Sequence, residues 1–560
     1  MMTRIRLLGV TAILLALALR AAPAAAQQDT AASVPAAMAL IQSGRHADAA
    51  TMLTAITARD PGNARAWSFL GYARFQLHED TAALAAYAHA RAFDETRPTA
   101  LYNSGLLYGR MGNLDSAFAL LEAAKATRKL DITQIGLDPD AAELRQDPRY
   151  RALFPTRAEF AHPFVEPVTV IREWDGESAG DQFGWIARNI GDVDHDGVND
   201  VTTSAPTRNV GGANAGRVYV YSTKSGKLLW TRDGRPGDRL GIGIEAAGDV
   251  NHDGTPDVIA GAPGAGKAYV YSGRDGRTLR TFTAEDSTDG FGRHVADAGD
   301  VNGDGYADVI VGAPLNDAGG NDAGRAYLYS GRDGRVLRTF TGARAGDQLG
   351  AAEAGAVVHG TAWIVIGAPA AGPRHTGTVY VYRGLTGGPA FTVPSDSTGA
   401  ALGAMFVSVV GDVNGDGTPD IYASDWPNRA KGRSTGRIYV YSGKTGTPLL
   451  TLTGETAGDG FGIGPADQGD VNHDGYDDLV IGAWQFGGAA PSGGRIYVYS
   501  GKDGTLLRTI TGRVDGETLG FDATGMGDVD GDGTPDMLVT SAWSAIAGTH
   551  SGRMYVIKGQ

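Results

Sequence analysis

The chain has 560 residues, no cysteine, a formal net charge of −14 and 42% hydrophobic residues, with 83 glycines. Its length excludes a single ordinary core and leaves room for at least two domains or a repeat fold. The acidic balance argues against nucleic acid or an anionic membrane as partner and favours bound cations, while the lack of cysteine excludes disulfides and a lipid-bearing N-terminal cysteine.

Residues 1–26 read as a signal peptide: Arg4 and Arg6 precede an apolar run from Leu7 to Leu19, and small residues ending in Ala24-Ala25-Ala26 follow. The run is too short to span a bilayer, and no later stretch is long and apolar enough. The expected product is exported and without a transmembrane segment, in the periplasm, at the cell surface or outside the cell.

Residues 33–130 are rich in Ala and Leu and repeat every 34 residues. Ala49, Ala83 and Ala117 keep that spacing, as do Gly71 and Gly105, and Leu53, Tyr87 and Leu121. Trp67, Leu70 and Gly71, then Ala83, Tyr87 and Ala90, resemble the two helices of a tetratricopeptide (TPR) unit. The resemblance implies an all-α scaffold that binds peptides; stacking alone, in a spacer or oligomerisation module, explains the same apolar positions. Residues 131–160 then hold AAELRQDPRYRALF, expected as a capping helix, and the linker AHPFVEP, which places the domain boundary near residue 160.

Residues 161–560 repeat about every 57 residues on an anchor glycine preceded by Phe or Leu, at Gly184, Gly241, Gly292, Gly350, Gly403, Gly462 and Gly520. Each unit runs from this anchor through an acidic loop, an apolar run, a variable loop, an alternating run, a glycine turn and a last run, which amounts to four strands. Seven such units predict a mainly β, seven-bladed propeller. The last unit lacks its fourth run, and VTVIREWDG from Val168 has the character of LLRTITG from Leu506, so the N-terminal strand is expected to complete the seventh blade.

Six units carry oxygen-bearing side chains at loop positions 1, 3, 5 and 9. They are Asp192, Asp194, Asp196 and Asp200; Asp249, Asn251, Asp253 and Asp257; Asp300, Asn302, Asp304 and Asp308; Asp412, Asn414, Asp416 and Asp420; Asp470, Asn472, Asp474 and Asp478; and Asp528, Asp530, Asp532 and Asp536. With Gly at position 6, this pattern suits a hard cation of Ca²⁺ size, and about six ions are expected. An EF-hand would need flanking helices and a Glu at position 12; catalytic carboxylates would need one differentiated pair, not six copies. The fourth unit, GAVVHGTAWIVIGAP, has no acidic loop and is assigned no ion.

Two enzyme-like motifs, GAPGAGKA at Gly261 and GESAG at Gly176, fall in repeat phase without the helix their usual folds require. Trp426, Trp484 and Trp543 replace the Pro of Gly-Ala-Pro on three consecutive units. They form either an aromatic face for a glycan or peptide or inter-blade packing.

The anchor pair, the DxDxDG or DxNxDG loop and Gly-Ala-Pro together resemble FG-GAP repeats, the blades of the integrin α-subunit propeller. That resemblance implies Ca²⁺ in the hairpin between first and second strands, and a role in adhesion or ligand binding. The expected protein is a calcium-binding interaction module with a protein or glycan ligand, as a monomer or within a surface complex. The alternative is an exported hydrolase of glycans or phospholipids acting on the propeller face, although no catalytic constellation is recognised.

Overall fold

The structure, a computed structural model, describes residues 33–464 and 467–559. The expected signal peptide lies outside the described residues. The chain divides into two compact units at Pro155/Thr156, five residues before the expected boundary.

The first unit is all-α. Helices α1 (Val34–Gln42), α2 (His46–Arg59), α3 (Ala64–Gln76), α4 (Asp80–Ala90), α5 (Arg97–Arg110) and α6 (Leu114–Ala126) pack as successive pairs, an arrangement that fits TPR-like repeats. The 34-residue period has a direct steric cause. A Cβ on Gly71 would lie 2.5 Å from the Tyr87 ring, and one on Gly105 would lie 2.7 Å from Leu121 Cγ. Ala49, Ala83 and Ala117 are fully buried at the equivalent crossings. The expected capping helix does not form. Residues 132–153 are instead four short 3₁₀ turns, two of which start at Pro139 and Pro148; a proline opens a helical turn readily but cannot sit inside a longer helix.

The second unit is a ring of seven antiparallel sheets. In the first blade the strands run Ala187–Asn189, Val201–Ala205, Arg217–Tyr221 and Leu228–Asp233. The second strand of each blade is buried along nearly its whole length, because neighbouring blades cover both its faces. First strands of successive blades lie side by side and so surround the centre. All seven anchor glycines have φ between +78° and +108°, the left-handed region where a side chain is strained, and each enters the first strand of its blade there.

The ring closes as expected. Val170–Asp175 pairs antiparallel with Arg553–Ile557 and supplies the fourth strand of the seventh blade. The linker continues the closure: Phe164 bridges Gly512, and the Glu166 carboxylate accepts from the Thr511 N–H (2.6 Å) and hydroxyl (2.8 Å).

Antiparallel order gives the ring two rims. Loops between first and second strands share one rim with the turns between third and fourth strands. The variable loops and the blade-to-blade links share the other. Arginines of the fourth strands tie one blade to the next on the first rim: Arg280 Nε donates to Gly331 O at 2.8 Å, and Arg508 Nη1 donates to Lys558 O at 2.7 Å.

Candidate cation loops

In all six acidic loops the chain folds the same way. The position-1 carboxylate accepts from the N–H groups of positions 5 and 6; for Asp300 these are Asp304 at 3.0 Å and Gly305 at 2.8 Å, and Asp192, Asp249, Asp412, Asp470 and Asp528 repeat the pair. The position-5 carboxylate accepts from the N–H of position 7 in each loop, with Asp304 to Tyr306 at 3.2 Å as one case. Positions 4 and 6 both take positive φ. Position 6 is always Gly, while position 4 is Gly303, Gly415 or Gly531 in three loops and His195, His252 or His473 in the others. Those histidines therefore hold a bend: His195 Nε2 lies 3.2 Å from Thr255 Oγ1 of the next loop, and the His252 ring sits 5.5 Å from Tyr306 of the loop after it.

Position 9 is the anchor of the site. Asp200, Asp257, Asp308, Asp420, Asp478 and Asp536 are all 0% exposed. One oxygen of each accepts from the N–H of position 2, and the other accepts from an N–H just beyond the third strand of the same blade; for Asp308 these are Val301 and Gly331, both at 3.1 Å. Gly331 is also the residue whose carbonyl holds Arg280 of the preceding blade, so the loop of the third blade is wired into the ring.

Burial pushes Asp257, Asp308 and Asp420 up to about 7 and Asp200 and Asp478 up to about 6; backbone hydrogen bonds oppose the shift and neighbouring loop carboxylates add to it. Asp536 moves in the same direction from the same cause. A desolvated carboxylate facing other carboxylates is the environment that a cation relieves.

The structure brings some of the expected ligands together. Oxygens of Asp192, Asp194 and Asp200 lie within 4.8 Å of one another, as do those of Asp528, Asp530 and Asp536. In the Asn-bearing loops Asn302 and Asn414 lie 3.1–3.2 Å from Asp308 and Asp420 through their amide nitrogens. A 180° turn of either amide presents Oδ1 to the same space, since O and N are interchangeable in shape. The donor set is all oxygen and fits a hard divalent ion, which positions 1, 3 and 9 could hold.

Lysines just beyond the third strands also reach these loops, which the acidic pattern alone does not reveal. Lys558 Nζ lies 2.9 Å from Asp530 and 2.7 Å from Asp532, and Lys444 Nζ donates to Asp416 O at 3.1 Å. In the seventh blade the ammonium therefore already stands where positive charge is needed.

The fourth blade has no such loop. Its first two strands, Ala352–Val358 and Thr361–Ala368, join through His359-Gly360 alone, with φ of +51° and +73°. Two left-handed residues make the primed turn that a two-residue hairpin needs.

The aromatic face is corrected. Trp426, Trp484 and Trp543 are 5%, 2% and 3% exposed and offer no open ligand surface. Trp484 meets Trp543 edge-on at 4.7 Å, and Phe521, the residue after the last blade's anchor glycine, lies 5.3 and 5.8 Å from the two rings. Large rings beside a hydrophobic neighbour gain more from burial than from exposure.

The FG-GAP repeat family matches residues 183–221, 244–276 and 293–329, and the FG-GAP-like repeat family matches residues 470–539. Integrin alpha-3 of Cricetulus griseus is 33% identical over 202 residues, covering 33% of this chain and 18% of the relative. Integrin alpha-4 of Xenopus laevis is 28% identical over 190 residues, covering 31% and 18%. Integrin alpha-IIb of Mus musculus is 35% identical over 147 residues, covering 23% and 14%. The aligned part thus spans less than a fifth of each of these relatives. Repeat matches on the blades, the glycine anchors and the closed ring of seven sheets, in one of which the first strand is split in two, agree: the chain carries FG-GAP repeats and its second unit is a seven-bladed β-propeller.

Proposed function

We propose that the propeller is an exported interaction or adhesion module whose blades are held by Ca²⁺ in the six acidic loops, with the TPR-like unit as a second protein-binding scaffold. The observation that carries the cation reading is the buried position-9 carboxylate, repeated six times inside an all-oxygen cluster and absent with its whole loop from the fourth blade. Bound Ca²⁺ would supply the charge that these carboxylates lack, and the position-9 oxygens would orient the loop around it. An interaction role is supported by likeness to integrin α chains and by the variable loops gathered on the opposite rim. No catalytic residue is assigned. The partner is read as a protein or glycan.

Stripping the full chain with a chelator and adding back CaCl₂ tests the cation reading. The Tm should rise with Ca²⁺ over roughly 10⁻⁴ to 10⁻³ M, the range of extracellular modules. Mg²⁺ should raise it less, because it demands a tighter octahedral cage. Capture of binders from a cell-surface extract on the Ca²⁺-loaded chain tests the interaction role, and binding that disappears with the chelator is the expected result.

A further inference from the structure

Four of the six acidic loops carry asparagine at position 3, and they differ in the residue that follows it. Asn302 and Asn414 precede Gly303 and Gly415, whereas Asn251 and Asn472 precede His252 and His473. The backbone takes the same turn in all four: φ at position 4 is +72° and +71° for the glycines and +59° and +58° for the histidines. What differs locally is whether the residue after asparagine bears a side chain.

That difference bears on a reaction of the main chain. The amide nitrogen that follows an asparagine can attack the asparagine Cγ, and a side chain on the attacking residue crowds the approach, so glycine permits it best. In the third loop the approach is open. Gly303 is exposed, nothing stands within 4 Å of where its Cβ would be, and among the described residues its N–H has no hydrogen-bond acceptor. In the seventh loop, by contrast, the Gly531 N–H is held by Asp528 at 2.7 Å. Asn302 Nδ2, the group that leaves, lies 3.2 and 3.1 Å from the two Asp308 oxygens. The fifth loop is more crowded, since a Cβ on Gly415 would lie 2.7 Å from the Tyr476 ring of the sixth. In the second and sixth loops the histidine side chain fills the space, and the His252 ring is further placed 5.5 Å from Tyr306.

We propose that Asn302 is a site of spontaneous deamidation, with Asn414 a slower second site, and that the modification turns a DxNxDG loop into the DxDxDG form of the first and seventh loops. The Gly303 nitrogen bonds to Asn302 Cγ and gives up its proton, the Cγ–Nδ2 bond breaks, and ammonia leaves with that proton. Water then opens the cyclic imide at one of its two carbonyls, which gives aspartate or isoaspartate. Aspartate supplies the position-3 carboxylate that the first loop already gathers with Asp192 and Asp200. Isoaspartate lengthens the main chain by one methylene and would shift Asp304 and Gly305 off the Asp300 carboxylate that holds them. The modification does not depend on the cation reading; its effect on ion binding rests on that reading.

The test is peptide mapping by mass spectrometry on the full chain, held in chelator at mildly alkaline pH, with enzymatic methyl labelling of isoaspartate. The Asn302 peptide should gain about 1 Da, as an amide becomes a carboxyl, at a rate about tenfold or more above those of Asn251 and Asn472, with Asn414 in between. A reciprocal exchange uses residues that the chain already accepts at this φ: Gly303→His should stop the reaction at Asn302, and His252→Gly should start it at Asn251. Absence of the mass gain at Asn302, or equal rates at Asn302 and Asn251, would overturn the proposal, as would an Asn302 rate unmoved by Gly303→His. Asn302→Asp should enlarge the Ca²⁺-dependent rise in Tm, and a smaller rise would overturn the loop conversion. Added CaCl₂ should slow the reaction at Asn302, because a coordinated amide is held in place. A mass gain that Ca²⁺ does not slow would support the modification and count against Asn302 as a ligand, so the two readings fail separately.

Discussion

The third and fourth blades have the same four-stranded sheet and join their first two strands in opposite ways. In the third blade the ladder ends at Gly299 and Asp308 and encloses residues 300–307, which carry Asp300, Asn302 and Asp304. In the fourth it runs on to Val358 and Thr361 and turns through two residues. The fourth blade shows that the sheet needs no acidic loop to form. The third blade therefore keeps several acidic side chains in close quarters at a cost in repulsion, which a cation bound as proposed would offset.

The comparison breaks most sharply at Asp308. Replacing it with Ala leaves the Val301 and Gly331 N–H groups without their acceptor, at a cost of about 2–4 kcal/mol by the usual penalty for orphaned buried donors. The Tm should fall markedly even in chelator; an unchanged Tm would show that the loop is not wired into the ring as described.

Turning the third blade into the fourth is the next test. A chain in which residues 300–307 are replaced by His-Gly should fold, bind one ion fewer by calorimetry, and lose up to about 2.7 kcal/mol of the Ca²⁺-dependent stabilisation at a hundredfold excess over Kd. An unaltered ion count would contradict the assignment of Asp300, Asn302 and Asp308 as ligands.

A pH effect separates the two blades at their interface. Glu353 of the fourth blade is 2% exposed, its Oε2 lies 2.8 Å from His294 Nδ1 of the third, and its own N–H points at the same nitrogen at 3.1 Å. A neutral carboxyl donating to Nδ1 suits this geometry, and burial raises the Glu353 pKa. Between the unfolded and folded values the folded chain binds more protons, so this group's contribution is complete at low pH and is lost as pH rises through the folded value. Glu353→Gln should therefore gain stability relative to wild type as pH increases from about 4.5 to 7. A constant difference in Tm would refute the neutral carboxyl.

The smallest effect is expected in the seventh blade. Lys558 already bridges Asp530 and Asp532, so Lys558→Ala should strengthen cation binding there only slightly, because solvent screens the ion pair it removes. Weaker binding in that variant would mean that the ammonium shapes the loop instead of competing for it.

Much of this was legible in the sequence because repetition amplifies weak signals. The anchor glycines, the spacing of acidic residues and the missing last strand each recur or close in phase, and the structure has the blades and the ring closure where that phase places them. What escaped was long-range within a blade or between blades. Asp308 reads as one more loop ligand, and nothing near it in sequence announces that Gly331 will donate to it. Lys558 and Arg280 act across a turn or a blade boundary. For Trp484 the sequence leaves a ligand face and inter-blade packing both open, because its neighbours Phe521 and Trp543 are distant in sequence. The stretch AAELRQDPRYRALF, residues 141–154, reads as a capping helix, whereas Pro148 opens a separate 3₁₀ turn within it.

Calorimetric titration of CaCl₂ into the chelator-stripped full chain is the most direct test of a cation-held propeller. About six ions should bind, in the affinity range of extracellular modules, with a parallel rise in Tm. Absence of binding heat together with an unmoved Tm would contradict the account.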